Sequence, residues 1–470
     1  MARTLTRDLT IGPISSHFRN LALPAALGML FSTLYNVVDI YFAGLLSTNA
    51  QAGLAQGFQV FYIFVAVGFG LGAAMSALVG NALGRKDSRS ARRLSVQGLS
   101  YGIMASGLLG CVGFWLGPQI LAVLSEPGAY RAAGTGYFRW LLLALPGFLL
   151  AYACNGVLQA QGDSTSMQRA LMAAFFANIG LNPLLIWGIP GIWSGMGFNG
   201  IAASTVLSQT GVMIYLLRQA LNSPALVGLR RRNFIPVWAS VREISVQSVP
   251  TTFALLIMFL SGFVVQYALK GFGEHAIAGF GIGLRVEQIL LLPVLGMTTA
   301  LLPILSQNLG AGEFDRVRHA LHFCWKIGAV ITLIAAAILW TFGAAILGLF
   351  TSDPEVIRVG LIYLRIDSVI LPLYMMLFSI NSLLQALKRP VWSVWIGLYR
   401  QGFGIAFFAW IFVGVWGFDE AGVWYGTAAA VSSGWAIAMV IAARLARKDI
   451  GGLWTGSAEL VSAQTTHSNR

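Results

Sequence analysis

Long apolar stretches separated by short polar breaks make up most of the chain. A helix needs about 20 consecutive apolar residues to cross a bilayer. Twelve stretches reach roughly that length, near residues 18–43, 52–83, 94–121, 132–160, 165–188, 197–219, 246–270, 276–308, 319–349, 358–387, 393–416 and 421–445. The pattern predicts an all-α polytopic membrane protein with twelve transmembrane helices.

The second half of the pattern repeats the first when the sequence is shifted by 226 residues. Pro24 then aligns with Pro250, and YFRWLLLALPGFLLAYACNGVLQA in the fourth span aligns with YLRIDSVILPLYMMLFSINSLLQA in the tenth. A constant offset of this kind indicates an internal duplication. Because each half has six spans, both halves enter the membrane in the same direction. We therefore expect two six-helix lobes related by a pseudo-two-fold axis along the membrane normal.

The duplication also predicts the domain borders. We expect an N-lobe at 1–220, a basic cytoplasmic linker at 221–245, a C-lobe at 246–446 and a cytoplasmic tail at 447–470. Two lobes that move around a central cavity have the geometry of alternating access. This arrangement favours a transporter, and we expect it to act as a monomer.

Charge is scarce and unevenly distributed. Fifty-seven per cent of the residues are hydrophobic and ten per cent are charged, whereas soluble domains have about 25% charged residues. Of the 30 Lys and Arg residues, 23 lie in the N-terminus, the tail and the breaks on one side of the membrane, and three lie on the other side. The positive-inside rule then places both termini in the cytoplasm of a plasma or inner membrane. The net charge of +13 is thus a topology signal, with no nucleic-acid partner implied.

Motifs for soluble or energy-dependent chemistry are missing from the sequence. It has no G-x-x-x-x-G-K-[ST] loop for ATP and no H-E-x-x-H or G-x-S-x-G motif of a hydrolase. Cys111, Cys154 and Cys324 lie in apolar stretches without metal or redox spacing. We therefore expect no enzyme activity and no cofactor.

The ionisable residues within the spans are the first candidates for function, because charge inside a membrane is costly. Asp39 is the only charged residue between Leu21 and Gly44, and it lies near the outer end of the first span. Asn178 and Asn182 are four residues apart, so they share one helical face, and Thr205 is expected at similar depth. Their oxygens could bind a hard cation such as sodium or hold a proton. The alternative is that Asp39 stays neutral, that the asparagines join helices and that Thr205 bonds its own helix.

The second half has a different set of polar residues. Arg285 and Glu287 lie about ten residues into span eight, and Asp367 and Arg400 lie in spans ten and eleven. Residues two apart on a helix point in different directions, so we expect Glu287 to face Arg400 or the cavity and Arg285 to face Asp367. They form either a substrate or second ion site, or ion pairs that fix packing.

Two further repeat-related sets have mainly structural interpretations. Arg139 and Arg365 are expected near the outer interface as snorkelling anchors. Prolines at matched positions remove a helical hydrogen bond and create either hinges or fixed kinks. These prolines are Pro24, Pro146, Pro250 and Pro372.

Several segments, taken in order, resemble the multidrug and toxic compound extrusion (MATE) family. They are VDIYFAG, LGRKDSRSAR and its repeat LGAGEFDRVR, NIGLNPLLIWG, GIAASTVLSQ and GIGLRVEQILLLP. The resemblance implies export of cationic or amphipathic drugs in exchange for protons or sodium. It also places the cation or proton site of the N-lobe at Asp39, Asn178, Asn182 and Thr205, and functional carboxylates in the C-lobe.

One position departs from this family pattern. Several relatives carry an aspartate where this chain has Asn182, which would give two carboxylates beside each other. A single carboxylate attracts sodium less strongly, so the sequence favours proton coupling.

A flippase for a lipid-linked or amphipathic precursor is the alternative function. Such a protein would hold pyrophosphate with several Arg or Lys residues. Here the residues inside the membrane include three carboxylates and only two arginines. A passive channel fits poorly, because the duplication predicts two mobile lobes.

Overall fold

Twelve helices long enough to cross a membrane form the described part of the chain. The computed structural model describes residues 7–226 and 231–454. The helices are α1 (Ile14–Leu46), α2 (Thr48–Gly84), α3 (Ser88–Leu124), α4 (Ala129–Ala160), α5 (Thr165–Trp187), α6 (Asn199–Leu221), α7 (Trp238–Leu269), α8 (Glu274–Ala311), α9 (Phe314–Gly348), α10 (Pro354–Ala386), α11 (Val391–Val415) and α12 (Ala421–Ile450). They confirm the twelve predicted spans. Most helices are longer than the apolar stretch, because they continue into polar residues at their ends.

Short polar sequences set several of these ends. Ser47 caps α2, and its hydroxyl accepts the backbone N–H of Ala50. Asp87 caps α3 and accepts the backbone N–H of Ser90 at 2.9 Å. Hydrogen bonds from Ser90 lower the pKa of the Asp87 carboxyl, so the cap stays ionised in the favourable field of a helix N-terminus. Such caps satisfy N–H groups that lack partners inside the helix.

The helices assemble into two compact units. Unit 1 contains Leu27–Thr252, and unit 2 contains Leu9–Ala26 together with the chain from Phe253 onwards. The borders predicted at 220 and 246 lie between complete spans. The two units instead change within helices, inside α1 and inside α7. Part of the predicted linker (227–230) and the tail beyond 454 lie outside the described residues, as do Arg3, Arg230 and Arg470.

The division of α1 and α7 follows the internal repeat. The first part of α1 belongs to unit 2, and the first part of α7 belongs to unit 1. Pro24 and Pro250 each lie two residues before the change of unit, inside an otherwise continuous helix. Each half of the chain thus contributes half a helix to the other unit.

Two glycines allow these half-helices to pack closely. A Cβ at Gly296 of α8 would lie 2.6 Å from the carbonyl oxygen of Ala22 in α1. A Cβ at Gly70 of α2 would lie 2.7 Å from the carbonyl oxygen of Ser248 in α7. Both pairs of positions are related by the 226-residue offset, so the same close contact is built twice.

Substitution at Gly296 tests this contact. Gly296→Ala should lower the melting temperature of the purified protein in detergent, because backbone atoms must move apart to admit the methyl group. Overpacking of this kind typically costs about 1–3 kcal/mol. Gly281→Ala is the matched control in α8, since a Cβ there meets no atom within 4 Å. Equal melting temperatures for the two variants would contradict the packing described here.

Candidate functional site

The Asp39 carboxylate lies at the centre of a buried polar cluster in unit 1. Asn178 and Asn182, one turn apart in α5, both donate side-chain N–H groups to Asp39 Oδ1 at 2.9 Å. The Thr205 hydroxyl in α6 donates to Asp39 Oδ2 at 3.2 Å. Asp39 is 3% exposed and both asparagines are fully buried. The structure therefore brings together the four residues that the sequence suggested for one site.

A second layer of polar groups surrounds this cluster. Asn182 also donates to Asn178 Oδ1 at 3.1 Å, and Asn178 donates to Ser204 Oγ at 3.3 Å. Tyr35, one turn before Asp39 in α1, donates to Thr205 Oγ1 at 3.3 Å. Neither Tyr35 nor Ser204 was predicted from the sequence to belong to the site. The four-residue spacing between Tyr35 and Asp39 was the available signal, because it places both on one face of α1.

The hydrogen-bond directions show what this cluster is suited to bind. Three donors converge on the Asp39 oxygens, which is the arrangement that an ionised carboxylate requires. Asn182 Oδ1 is buried without a hydrogen-bond partner among the described residues. The Thr205 hydroxyl has one hydrogen but two acceptors in reach, Asp39 Oδ2 and the Ile201 carbonyl at 3.3 Å. When Asp39 is protonated on Oδ2, the Thr205 hydroxyl can accept a hydrogen bond from Asp39 while it donates its own hydrogen to the Ile201 carbonyl.

Unit 2 contains a separate group of buried charges. Glu287 in α8 is 7% exposed and accepts a hydrogen bond from the Tyr363 hydroxyl of α10. Asp367, 2% exposed, lies near Glu287, whose charge would repel its own when both are ionised, and Arg400 of α11 is the nearby cation. The Arg400 guanidinium lies 5.6 Å from the centre of the Tyr374 ring.

Arg400 reaches this group through an irregular segment of α11. Residues Leu398–Gly404 form a π-helical turn, a conformation that is frequent at functional sites. Gly434 of α12 leaves space for the side chain, because a Cβ there would lie 3.0 Å from Arg400 Cβ and Cγ. Arg400 is therefore close enough to Glu287 for an electrostatic interaction, although no direct ion pair joins them among the described residues.

The expected approach of Arg285 to Asp367 is not observed. Arg285 is exposed, and no contact with Asp367 occurs in the described structure. Two residues along a helix correspond to about 200° of rotation. When Glu287 faces the interior of unit 2, Arg285 therefore points outward.

The two clusters are not copies of each other. At the 226-residue offset, Asp39 corresponds to Val265, Glu287 to Phe61 and Asp367 to Leu141. Only the tyrosine is shared: the Tyr363 hydroxyl donates a hydrogen bond to Glu287, and its counterpart Tyr137 is buried near Asp39. Neither tyrosine was assigned to a site from the sequence, although the repeat pair was visible there.

Comparison with known proteins explains this duplicated frame. Residues 24–184 and 250–410 each match the sequence profile of the MatE family. The two matches cover more than half of the chain and are offset by 226 residues, as the internal repeat is. The chain belongs to the MATE family. The resemblance noted in the sequence is confirmed.

Curated relatives of this MATE family chain are transporters. The FAD transporter of Shewanella oneidensis is 26% identical over 400 residues, which are 83% of this chain and 86% of that protein. The multidrug export protein MepA of Staphylococcus aureus is 24% identical over 375 residues, or 80% of this chain and 82% of that protein. The chain is therefore a multi-pass membrane transporter and not an enzyme.

Solved structures establish the two-lobe MATE fold. One is a MOP superfamily transporter from Pyrococcus furiosus, described as having a binding pocket of reversed polarity. Its superposition has a TM-score of 0.85 at 22% sequence identity and covers 97% of this chain and 99% of that transporter. The other is a multidrug resistance MATE transporter in an outward-facing conformation. It has the same TM-score and sequence identity, and the superposition covers 95% of this chain and 100% of that transporter.

A second carboxylate should change the ion preference of the unit 1 cluster. In Asn182→Asp, two adjacent acids would repel each other unless a cation binds between them. We expect sodium chloride to raise the melting temperature of Asn182→Asp more than equal choline chloride does. The wild type should show no difference between the two salts. A sodium-specific rise of the same size in the wild type would mean that a cation site is already complete.

Proposed function

We propose that the chain is a secondary active efflux antiporter that exports cationic or amphipathic compounds in exchange for protons by alternating access. Family membership and the similarity to MepA support drug export. The observation that carries proton coupling is the hydrogen bonding of Asp39, a single buried carboxylate with three converging donors.

Protonation of Asp39 changes the strength of these bonds. Hydrogen bonds to a charged acceptor are about twice as strong as neutral ones. With Asp39 ionised, the charged oxygens hold α1 against α5 and α6. A proton on Oδ2 would remove that charge and make Oδ2 a donor to the Thr205 hydroxyl, which would turn to the Ile201 carbonyl. The attachment of α1 to its neighbours in unit 1 would then weaken.

The path of α1 gives this local change a longer reach. Its first part belongs to unit 2, and the part with Asp39 belongs to unit 1. Pro24 lacks the N–H for a helical hydrogen bond just before the change of unit, so bending there costs less than elsewhere in the helix. We propose that Pro24 acts as a hinge. A proton from outside neutralises Asp39, α1 moves and the drug is released outward. Loss of the proton to the cytoplasm resets the transporter.

Sodium coupling is the alternative for the same residues. A hard cation needs several oxygen ligands, but both asparagines direct N–H groups towards Asp39. This direction of the amide groups favours the proton.

The unit 2 cluster has a supporting role in this proposal. Glu287 and Asp367 outnumber Arg400, so the cluster attracts a cationic drug or holds a second ion. Arg285 is exposed and does not join this cluster. The proposed topology follows the Lys and Arg distribution, with both termini in the cytoplasm of the inner membrane and a monomer as the active form.

FAD export is a second candidate function. The relative from Shewanella oneidensis is named as an FAD transporter, and Arg285 and Arg400 add positive charge inside the unit 2 spans. A flippase for an amphipathic precursor is the third candidate. Both would require an anionic cargo, whereas the buried carboxylates of both units favour a cationic one.

Transport by purified protein in liposomes separates these functions. A fluorescent cationic drug should move when a proton gradient is imposed and should not move under a sodium gradient alone. Asp39→Asn should reduce proton-driven movement to the rate of protein-free liposomes, because the amide cannot carry a proton in exchange. Asp419→Asn, the same change in an exposed loop residue, is the control and should transport as the wild type does.

Each other outcome has a defined meaning. Drug movement under a sodium gradient would overturn proton coupling and leave drug export intact. Full proton-driven transport by Asp39→Asn would remove Asp39 from the coupling site. The absence of drug movement under either gradient would contradict the efflux proposal, and FAD and lipid-linked substrates would then be tested in the same liposomes.

A further inference from the structure

The internal repeat places an arginine over an aromatic ring at the same position in each half of the chain. The Arg139 guanidinium of α4 lies 5.7 Å from the ring centre of Phe114 in α3. The Arg365 guanidinium of α10 lies 5.4 Å from a ring of Trp340 in α9. The 226-residue offset relates both members of the pairs, although the ring differs. The unit 1 and unit 2 clusters of buried polar residues differ from each other, whereas this arginine–ring arrangement is present in both units.

Neither guanidinium has its hydrogen-bonding capacity satisfied by the described residues. A guanidinium has five N–H donors, and contact with a ring face uses none of them. Within the ranges 7–226 and 231–454, Arg139 and Arg365 have no side-chain hydrogen bond and no carboxylate partner. By contrast, Arg131 donates to the carbonyls of Ala122 and Ser125. Both unpartnered side chains are exposed.

Their depth makes these free donors costly in a membrane. The 32 residues of α4 span about 48 Å, and the hydrocarbon core is about 30 Å thick. With α4 centred in the core, Arg139 lies about 7 Å inside its edge. A long side chain can reach the headgroup level from there. An acceptor at that level would satisfy the guanidinium.

The surroundings of Arg139 are open and mostly apolar. A shallow surface pocket of about 460 Å³ is lined by Gly110, Phe114, Arg139, Trp140, Leu142 and Leu143. Phe114 and Leu143 are 53% and 62% exposed, so one cation stands above an apolar surface that faces the membrane. An acyl chain fits the apolar part, and a phosphate complements the guanidinium.

The corresponding position in unit 2 has a fixed aromatic platform. Trp340 is 55% exposed, yet its indole N–H donates to Ser368 Oγ at 2.9 Å. Ser368 is 1% exposed in α10, three residues after Arg365. This bond fixes the ring beside the arginine, so little side-chain freedom is lost when a ligand binds.

We propose that Arg139 with Phe114, and Arg365 with Trp340, form two binding sites for the phosphate group of an anionic phospholipid. A guanidinium binds phosphate through two parallel hydrogen bonds, which a ring face leaves available. The lipid is the occupant because each arginine lies just inside the hydrocarbon edge, beside apolar surface, and its side chain can reach the headgroup level. The proposal is independent of which cargo or ion the protein transports.

Native mass spectrometry of the purified protein tests this by counting bound lipids. In detergent with added phosphatidylglycerol, the wild type should retain two tightly bound molecules. Arg139→Gln and Arg365→Gln should each retain one, and the double variant none. Phosphatidylcholine has the same phosphate, but its choline cation cancels the net negative charge, so it should be retained more weakly and show no such stepwise loss. Arg131→Gln, whose guanidinium bonds backbone carbonyls, is the matched control and should retain two phosphatidylglycerol molecules.

Two further measurements keep the test decisive. Melting temperatures in phosphatidylcholine should agree among all variants, which shows that lipid loss is not unfolding. Phe114→Leu and Trp340→Leu keep the charge but remove the platform, and each should weaken retention at its own site. If the double variant retains as much phosphatidylglycerol as the wild type, the arginines are only snorkelling anchors and the proposal is wrong.

Discussion

The hydrogen bonding of one buried carboxylate is the constraint on which unit 1 depends. Asp39 can remain ionised in an apolar helix only because α5 and α6 supply donors for both of its oxygens. The donors are polar side chains whose burial would cost free energy without hydrogen bonds. Each polar group in the cluster therefore offsets the burial cost of its partners. Such a network weakens when Asp39 gains a proton, because its bonds then lose their charged acceptor. The same bonds that stabilise the helix contacts therefore make them sensitive to protonation.

Duplication supplied two similar frames, and the chemistry of the two then diverged. Phe61, the counterpart of Glu287, packs against Phe148, which is the counterpart of Tyr374. An aromatic contact in one unit thus occupies the position of a charged cluster in the other. What the units still share is mechanical: the close glycine contacts, the prolines before each change of unit and the arginines over aromatic rings. Shared features hold helices to one another and to lipid, while the features that differ are suited to separate tasks.

The sequence predicted depth along each helix better than rotation about its axis. Span positions and the grouping of Asp39 with Asn178, Asn182 and Thr205 followed from counting residues, because a helix rises by a fixed amount per residue. The direction of Arg285 could not be obtained in this way. In a membrane helix most faces are apolar, so hydrophobic periodicity does not show which side faces a neighbour. The exchange of half-helices between units and the π-helical turn at Arg400 depend on tertiary packing. They could not be predicted from the sequence either.

The most direct test of the central claim is to measure protons released when drug binds to the purified protein. A weakly buffered sample with a pH indicator, studied over a pH series, reports this without any gradient or membrane. If Asp39 holds the proton that is exchanged for cargo, drug binding to the protonated wild type should release one proton per molecule. Asp39→Asn should bind drug without release. Equal proton release by both proteins would contradict the account, because the exchanged proton would then belong to another group.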